Sequence, residues 1–228
     1  MKKEILFGFG VTSVIFSLLF VTSFTNNTKD NCIQFNNEQG NFLYKNCGNE
    51  LAITSDFDNT YITGATKIKG KKDNQLFIIP NAETVTVKAQ KNGATIATKE
   101  YKTKAAPIPN ITLKKETGLP INQKRGERIN SFNHIKVVAQ STDQHFLRNY
   151  PKDARYIVTK YQVQLVRGNE VIKKEDTTDK TLDLSSLGIQ ESKDRIVLII
   201  QEIKRKNFQN KLIEVPIEHL VYNIPLNE

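Results

Sequence analysis

The stretch that most constrains the fold of this chain is Arg195–Ile203, a run of mostly β-branched and aliphatic residues. Apolar side chains occupy both alternating faces of this run, which predicts a strand in the middle of a sheet, covered on both sides. A polar turn follows, and Leu212–Ile217 then runs back with apolar residues on one face only. Pro216 cannot donate a ladder hydrogen bond, so this return strand is expected at a sheet edge or with a bulge. The hairpin predicts a β framework for the second half of the chain.

Length and charge limit the classes of protein that need to be considered. With 228 residues, 38% of them hydrophobic, the chain can form one large or two small domains with a buried core. The net charge of +9 is spread over both halves, which favours a role in solubility over a binding tail. The chain has no zinc-finger spacing, basic helix or aromatic-rich RNA-binding motif, so no nucleic acid partner is predicted.

The N-terminus carries an export signal. Lys2 and Lys3 precede an uncharged, apolar stretch, Ile5–Phe24, and Val21-Thr-Ser23 fits the small-residue rule for cleavage after Ser23. The stretch is also about 20 residues long, which is enough to span a bilayer. Residues 1–24 are therefore a cleaved signal peptide or an anchor through residues 5–24 in the inner membrane. Either outcome predicts a periplasmic or cell-envelope protein.

Cys32 and Cys47 are the only cysteines. An even count in an exported chain predicts a disulfide between them, which would stabilise the fold by ~3 kcal/mol on the chain-entropy model. Neither cysteine has a histidine neighbour, so no metal or other cofactor is predicted.

Short strands between turns fill the first half of the chain. The segment Lys91-Asn-Gly93 is typical of a hairpin turn, because Asn and Gly tolerate positive φ. The segment Ala105–Asn110 holds two prolines and predicts a stiff extended linker that keeps two domains apart. This pattern predicts a first immunoglobulin-like sandwich over residues 32–113. Its expected strands are Phe42–Lys45, Leu51–Thr54, Ala65–Lys69, Leu76–Ile79, Val85–Ala89 and Thr95–Lys102.

A second domain is expected over residues 119–228. Arg155–Arg167 predicts a strand with Ile157, Thr159 and Tyr161 on one face, whereas Ile129–Val138 fits either a helix or a strand. The fold class predicted is therefore mainly β, with two tandem antiparallel immunoglobulin-like sandwiches and room for a short helix in the second.

Several of these segments together resemble a known family. The segments are Phe42-Leu-Tyr-Lys-Asn-Cys-Gly-Asn-Glu-Leu-Ala-Ile53, Gln75-Leu-Phe-Ile-Ile-Pro80, Val85-Thr-Val87, Ile108-Pro-Asn110 and the Arg195–Pro225 hairpin. They are similar to the last two periplasmic domains of the gliding-motility protein GldM. The resemblance implies tandem β domains, a bacterial envelope location and a scaffold role in gliding motility and type IX secretion. The family's long helical domain and first β domain have no counterpart here, so we expect a stand-alone relative that keeps the partner-facing domains.

No constellation in the sequence predicts catalysis. His134, His145 and His219 are scattered, and Asp56-Phe-Asp58-Asn59 lacks the glycine and distal glutamate of a calcium loop. Lys204, Arg205, Lys206 and Lys211 concentrate charge at one hairpin tip, which is either a solvated turn or a partner-binding site. We therefore expect a non-enzymatic docking protein with an unidentified envelope partner, and a homodimer is left open. A glycan or small-ligand binder and an envelope enzyme with a site formed only in three dimensions are the alternatives.

Overall fold

The computed structural model describes residues 33–35, 42–53, 57–69, 76–128, 131–189, 193–218 and 220–227. The described residues form a mainly β protein. Residues 1–24, Cys32, Asp56 and His219 lie outside them, as do the sequence predictions that concern these residues. Within the described ranges, no helix is long and apolar enough to cross a membrane.

The first half contains eight strands among its described residues. The six predicted strands are all present, with ends within two residues of their expected places, and β1 and β4 were not predicted. The strands are β1 (Ile33–Phe35), β2 (Phe42–Tyr44), β3 (Asn49–Ile53), β4 (Asn59–Thr63), β5 (Ala65–Lys69), β6 (Leu76–Pro80), β7 (Thr84–Lys91) and β8 (Ala94–Lys104).

Two four-stranded sheets, ordered β1-β3-β6-β5 and β2-β8-β7-β4, enclose the core of this half. Ile33 and Ile78 from one sheet and Val85 and Tyr101 from the other are fully buried in one apolar cluster. The chain crosses between the sheets at Gly64, where φ is +78° and a Cβ would lie 2.1 Å from the Thr84 carbonyl oxygen. The predicted hairpin is confirmed: Asn92 and Gly93 join β7 to β8 with φ values of 50° and 77°.

The second half contains nine strands, one α-helix and one short 3₁₀ helix among its described residues. They are β9 (Asn110–Lys115), β10 (Glu127–Arg128), β11 (His134–Gln140), α1 (Gln144–Asn149), β12 (Arg155–Arg167), β13 (Glu170–Thr177), β14 (Thr181–Asp183), the 3₁₀ helix (Ser185–Leu187), β15 (Asp194–Lys206), β16 (Leu212–Glu214) and β17 (Leu220–Asn227). Of the ambiguous segment Ile129–Val138, the residues from His134 onward form a strand, as part of β11, and residues 129–130 lie outside the described ranges. The helix lies further on, and Asp143 caps it by accepting a hydrogen bond from the Phe146 N–H.

The core of this half lies between two sheets of unequal size. The long sheet has the order β10-β17-β15-β12-β13, with β16 also paired to β15, and the short sheet has the order β14-β11-β9. Ile135 of the short sheet and Tyr161, Ile196 and Leu198 of the long sheet are fully buried in a shared cluster. The arrangement therefore places the predicted central strand, β15, between β12 on one side and β16 and β17 on the other.

A bulge in the middle of the long sheet changes which residues face the core. The β12–β15 register shifts on both sides of Lys160. Tyr156 and Val158 are buried before the shift, and Tyr161 is buried after it. The prediction that Ile157 and Thr159 share the core face of Tyr161 is therefore wrong, because a bulge inverts the alternation of side chains.

The central strand is covered less completely than its sequence predicts. Ile196, Leu198 and Ile200 are fully buried, but Val197 and Ile199 on the opposite side are only half-buried. The return strand is interrupted, as its proline and its change of apolar phase predict: Pro216 lies between β16 and β17, outside both.

The linker is packed against the second half and does not act as a free spacer. Pro109 is buried, and the Tyr156 hydroxyl donates a hydrogen bond to the Pro107 carbonyl. Residues 110–113, expected at the end of the first domain, lie in β9 and pair with β11. The expectation that the prolines hold two domains apart is therefore wrong, because the linker and the first half both contact the second core.

Candidate functional site

The basic residues predicted to form one binding tip do not all face the same side of the sheet. Lys204 and Lys206 are half-buried and Lys211 is exposed, whereas Arg205 is 3% exposed and its guanidinium is enclosed by protein. The predicted partner-binding role of Arg205 is wrong, because alternate residues of a strand face opposite sides of the sheet. Ile203 and Arg205 share one side, and Ile203 is fully buried.

Arg205 instead forms the centre of a polar junction between the two halves, comprising Asn46, Gly48, Asp153, Arg205 and Phe208, in which Asp153 and Arg205 are buried. The Arg205 guanidinium donates to the Asp153 carbonyl at 3.1 Å and to Asp153 Oδ1 at 3.4 Å. It also donates to the Asn46 carbonyl at 3.2 Å. The Asp153 carboxylate accepts from the Gly48 N–H at 3.2 Å and from the Phe208 N–H at 3.0 Å. The Asp153–Arg205 ion pair and its hydrogen bonds therefore hold the loop between β2 and β3 against the turn between β15 and β16.

Burial dominates the electrostatics of the junction. It raises the pKa of Asp153, and the hydrogen bonds from Gly48 and Phe208 and the charge of Arg205 offset that rise only in part. Burial also raises the pKa of the Cys47 thiol, against the nearby Arg205 charge. Cys47 is therefore a neutral thiol at physiological pH and not a nucleophilic thiolate.

The turn at this tip, predicted to be either a solvated turn or a partner-binding site, contacts the first half of the chain. A Cβ on Gly48 would lie 2.7 Å from the Phe208 ring, so only glycine fits there without displacing the ring. The Phe208 ring centroid is 5.7 Å from that of Phe77 in β6. Asn207 shapes the turn, since its side-chain oxygen accepts from the backbone N–H groups of Gln209 and Lys211. Phe208 therefore makes the tip of this hairpin an internal contact, while Lys211 stays exposed.

An aromatic cluster lies beneath the junction. The Tyr44 ring packs edge-on against Phe146 and Tyr150, with centroids 4.9 and 5.1 Å apart. The Tyr150 hydroxyl donates to Asn49 Oδ1 at 2.8 Å, and Asn49 Nδ2 donates to the Cys47 carbonyl at 2.9 Å. Burial raises the pKa of Tyr44 to about 12. The end of β2 and the loop that follows it are therefore inserted into the core of the second half.

The predicted disulfide is not supported. Cys47 is a free thiol with 0% exposure, packed in the core cluster of the second half. Cys32 lies outside the described residues. Cys47 thus contributes to the fold through packing between the halves.

The residues that complete the junction carry no signal in the sequence. Asp153, Gly48 and Phe208 are each ordinary turn residues until the halves meet. A signal for Arg205 was available, because it follows Ile203 by two positions and so continues the buried side of a strand.

The side of the long sheet that faces away from the core, here called the outer face, carries apolar residues next to polar ones. Ile199 pairs with Gln162 on one side and with Val221 on the other, and Val221 is 61% exposed. Further along β15, Lys206 pairs with Arg155 and with Leu212, which is 54% exposed. Of the described residues, neither core cluster includes Val197, Ile199 or Val221.

Side-chain amides and carboxylates order the middle of the outer face. Gln164 donates to Gln162 at 2.7 Å, and Gln162 donates to Asp176 at 2.9 Å. This hydrogen bond, together with weaker influences of nearby lysines, lowers the pKa of the Asp176 carboxyl. Glu202 pairs with Lys204 at 2.9 Å. The chain of hydrogen bonds fixes the side chains that lie beside the apolar group.

The remaining candidates from sequence do not converge on one site. His145 contacts Asn149 at 2.9 Å, and Asp58 accepts from the Asn92 N–H, so it shapes a turn. The described ranges hold no group of three or more histidine, cysteine or acidic residues able to bind a metal. A shallow depression beside the 3₁₀ helix is lined by apolar and small polar residues and one arginine: Arg128, Phe132, Asn133, Leu184, Ser185, Gly188, Ile189 and Leu226.

No protein-family model matches this chain, and no curated protein matches it.

Proposed function

We propose that this chain is a non-enzymatic, exported docking protein of the bacterial cell envelope, in which two tandem immunoglobulin-like sandwiches act as one rigid unit. The junction is the observation that carries the proposal. Its ionisable residues are those that an enzyme would use, yet each is engaged in holding the halves together. Arg205 and Asp153 are buried, and their polar contacts are made to backbone groups and to each other. The Cys47 thiol nearby is packed in the core cluster.

A rigid unit suits a scaffold better than a flexible linker would, because binding does not then have to order two independent domains. The resemblance to the C-terminal domains of GldM supports the same role, with a link to gliding motility or type IX secretion and an envelope protein as partner. In this proposal the leader directs the chain to the periplasm or anchors it in the inner membrane.

Photo-crosslinking in the cells that produce the protein tests this function. A photoreactive amino acid placed at exposed positions on both halves, such as Thr98 and Asn223, should yield cross-links to envelope proteins. Cell fractionation should place the products in the envelope. Turnover in a screen of peptides, esters and glycans, abolished by a single substitution in an otherwise folded chain, would replace this function with an enzymatic one.

A further inference from the structure

We infer that the outer face of the long sheet is the docking site, and that its occupant is an acidic, partly apolar segment of a partner protein. This inference rests on the proposed function and assigns to it a surface and a chemistry. Two groups of residues on the face support the inference, one apolar and one basic. The distance between the two groups then limits which partner segments fit.

The first group is apolar. Ile199 and Val221 are cross-strand partners on the outer face, and Val197 is the next outward residue of β15. Val221 is 61% exposed, whereas Ile199 and Val197 are half-buried. Apolar side chains that lie together and are framed by polar residues are typical of binding surfaces. A partner that covers these three side chains removes their exposed surface from water.

The second group is basic. Arg155 and Lys206 lie directly opposite each other on β12 and β15, and Lys211 follows in the next turn. Like charges in opposite positions destabilise a sheet. The Arg155 guanidinium donates hydrogen bonds to the carbonyls of Lys152 and Asn207 and to Asn210 Oδ1. None of the ion pairs found within the described ranges involves Arg155, Lys206 or Lys211, so no carboxylate there balances these charges. An acidic partner group would relieve this repulsion, which gives the face its charge complementarity.

The spacing of the groups limits the partner. Seven positions separate Ile199 from Lys206 along β15, and at about 3.3 Å per residue, with one residue taken up by the bulge, the groups are roughly 20 Å apart. The hydrogen-bonded amides of Gln162 and Gln164 lie beside the apolar group. A matching helix would carry its acidic and apolar residues about 13 positions apart, since a helix rises about 1.5 Å per residue.

Cross-linking from the outer face identifies the segment that binds there. A photoreactive amino acid at Asn223, used in the full chain in its own cells, should cross-link to a protein segment that contains both acidic and apolar residues. Thr98, an exposed residue of β8 in the first half, serves as the matched position. If Thr98 cross-links to a partner and Asn223 does not, the docking function stands and the outer face is excluded. If neither position cross-links to any protein, the proposed function itself fails.

Charge reversal then tests the chemistry. The double substitution Lys206→Glu and Lys211→Glu should slow association with the cross-linked partner about tenfold at low salt, with a smaller effect at high salt. The matched control is Lys88→Glu with Lys102→Glu, which makes the same charge change on exposed strand residues of the first half. Changing the acidic residues of the partner segment to lysine should restore binding to the charge-reversed chain.

Val221→Asp should weaken binding without altering the circular dichroism spectrum, while Tyr61→Asp, at a similarly exposed strand position, should leave binding unchanged.

Three outcomes would overturn the inference. The control pair could weaken binding as much as the test pair, which would show a general effect of net charge. Asn223 could cross-link only to a second copy of this chain, and the charge reversal could alter the sedimentation of the protein, which would make the face a contact between copies. Vesicles of phosphatidylglycerol could bind the parent and not the charge-reversed chain while protein binding is unchanged, which would assign the basic group to a lipid surface.

Discussion

Replacing Asp153 with alanine should destabilise the whole protein by about 4 kcal/mol. Both partners of the Asp153–Arg205 pair have side chains that are 3% exposed. Removing one member of a buried pair costs about 3–5 kcal/mol, because the other charge stays buried without compensation. The substitution also leaves the N–H groups of Gly48 and Phe208 without their acceptor. Arg205→Met should cost less, about 3 kcal/mol, because the remaining carboxyl can take up a proton and keeps both N–H donors.

Urea unfolding followed by circular dichroism measures these changes, and the double variant completes a thermodynamic cycle. We expect the double variant to be less destabilised than the sum of the single variants by at least about 1 kcal/mol, since each single change leaves an unpaired charge. Asp176→Ala, which removes an exposed carboxylate from the outer face, is the control and should change the unfolding midpoint little. An Asp153→Ala variant within about 1 kcal/mol of the parent, or strict additivity, would refute the view that this pair joins the halves.

The pH dependence of unfolding provides a second measurement on the same pair. Burial raises the pKa of Asp153 in the folded state, so the folded chain holds this proton more tightly than the unfolded chain does. The contribution of Asp153 to stability is therefore fully present below the pKa of an unfolded aspartate, about 3.9, and is lost as pH rises through the higher folded value. Arg205→Met should enlarge this loss and extend it to higher pH, because the arginine charge opposes the rise in pKa.

Three further predictions concern single positions. Gly48→Ala should lower the free energy of unfolding by about 1–3 kcal/mol, because the new Cβ meets the Phe208 ring at 2.7 Å. A matched Phe208→Leu background should recover part of the loss. Full tolerance of the alanine would contradict the packing. In a Cys32→Ser background, and between pH 7 and pH 9, Cys47 should react with a thiol reagent only as fast as the chain unfolds. Rapid labelling of Cys47 in native buffer would show that it is not buried. Gly93→Ala should destabilise the β7–β8 hairpin by about 1 kcal/mol in thermal unfolding. The reason is the backbone, since φ is +77° there and no atom lies within 4 Å of the new methyl. An unchanged melting temperature would count against that conformation.

Much of the strand content was predictable because it depends on local alternation. Arg155–Arg167 has the bounds expected from its sequence, and the Asn92-Gly93 turn follows from the tolerance of both residues for positive φ. The side of the sheet that each residue faces was less predictable. The bulge around Lys160 depends on how β12 aligns with β15, so the inversion at Ile157 and Thr159 has no local signature.

The junction could not be predicted in full because it depends on contacts between distant parts of the chain. The three consecutive basic residues from Lys204 to Lys206 read as one charged tip when they are counted as a group. Alternate residues of a strand face opposite sides of the sheet, however, so only the middle residue, Arg205, faces inward. Its acceptor, Asp153, lies 52 positions earlier in an irregular turn, where no periodicity marks it. Burial of that carboxylate is a property of the assembled halves.

The contact between Arg205 and the Asn46 carbonyl joins residues that are 159 positions apart. Closing so long a loop carries a large entropic cost before any contact compensates for it, so we expect this step to come late in folding. Synthesis proceeds from the N-terminus at about 5–20 residues per second, so Tyr44 at the end of β2 and Cys47 in the loop after it emerge well before their cover does. Until β15 is complete, this strand end and loop present an aromatic ring and a thiol to their surroundings. A nascent chain arrested ahead of Arg205 should therefore bind chaperones at this loop and react there with thiol reagents, and release of the last strands should end both.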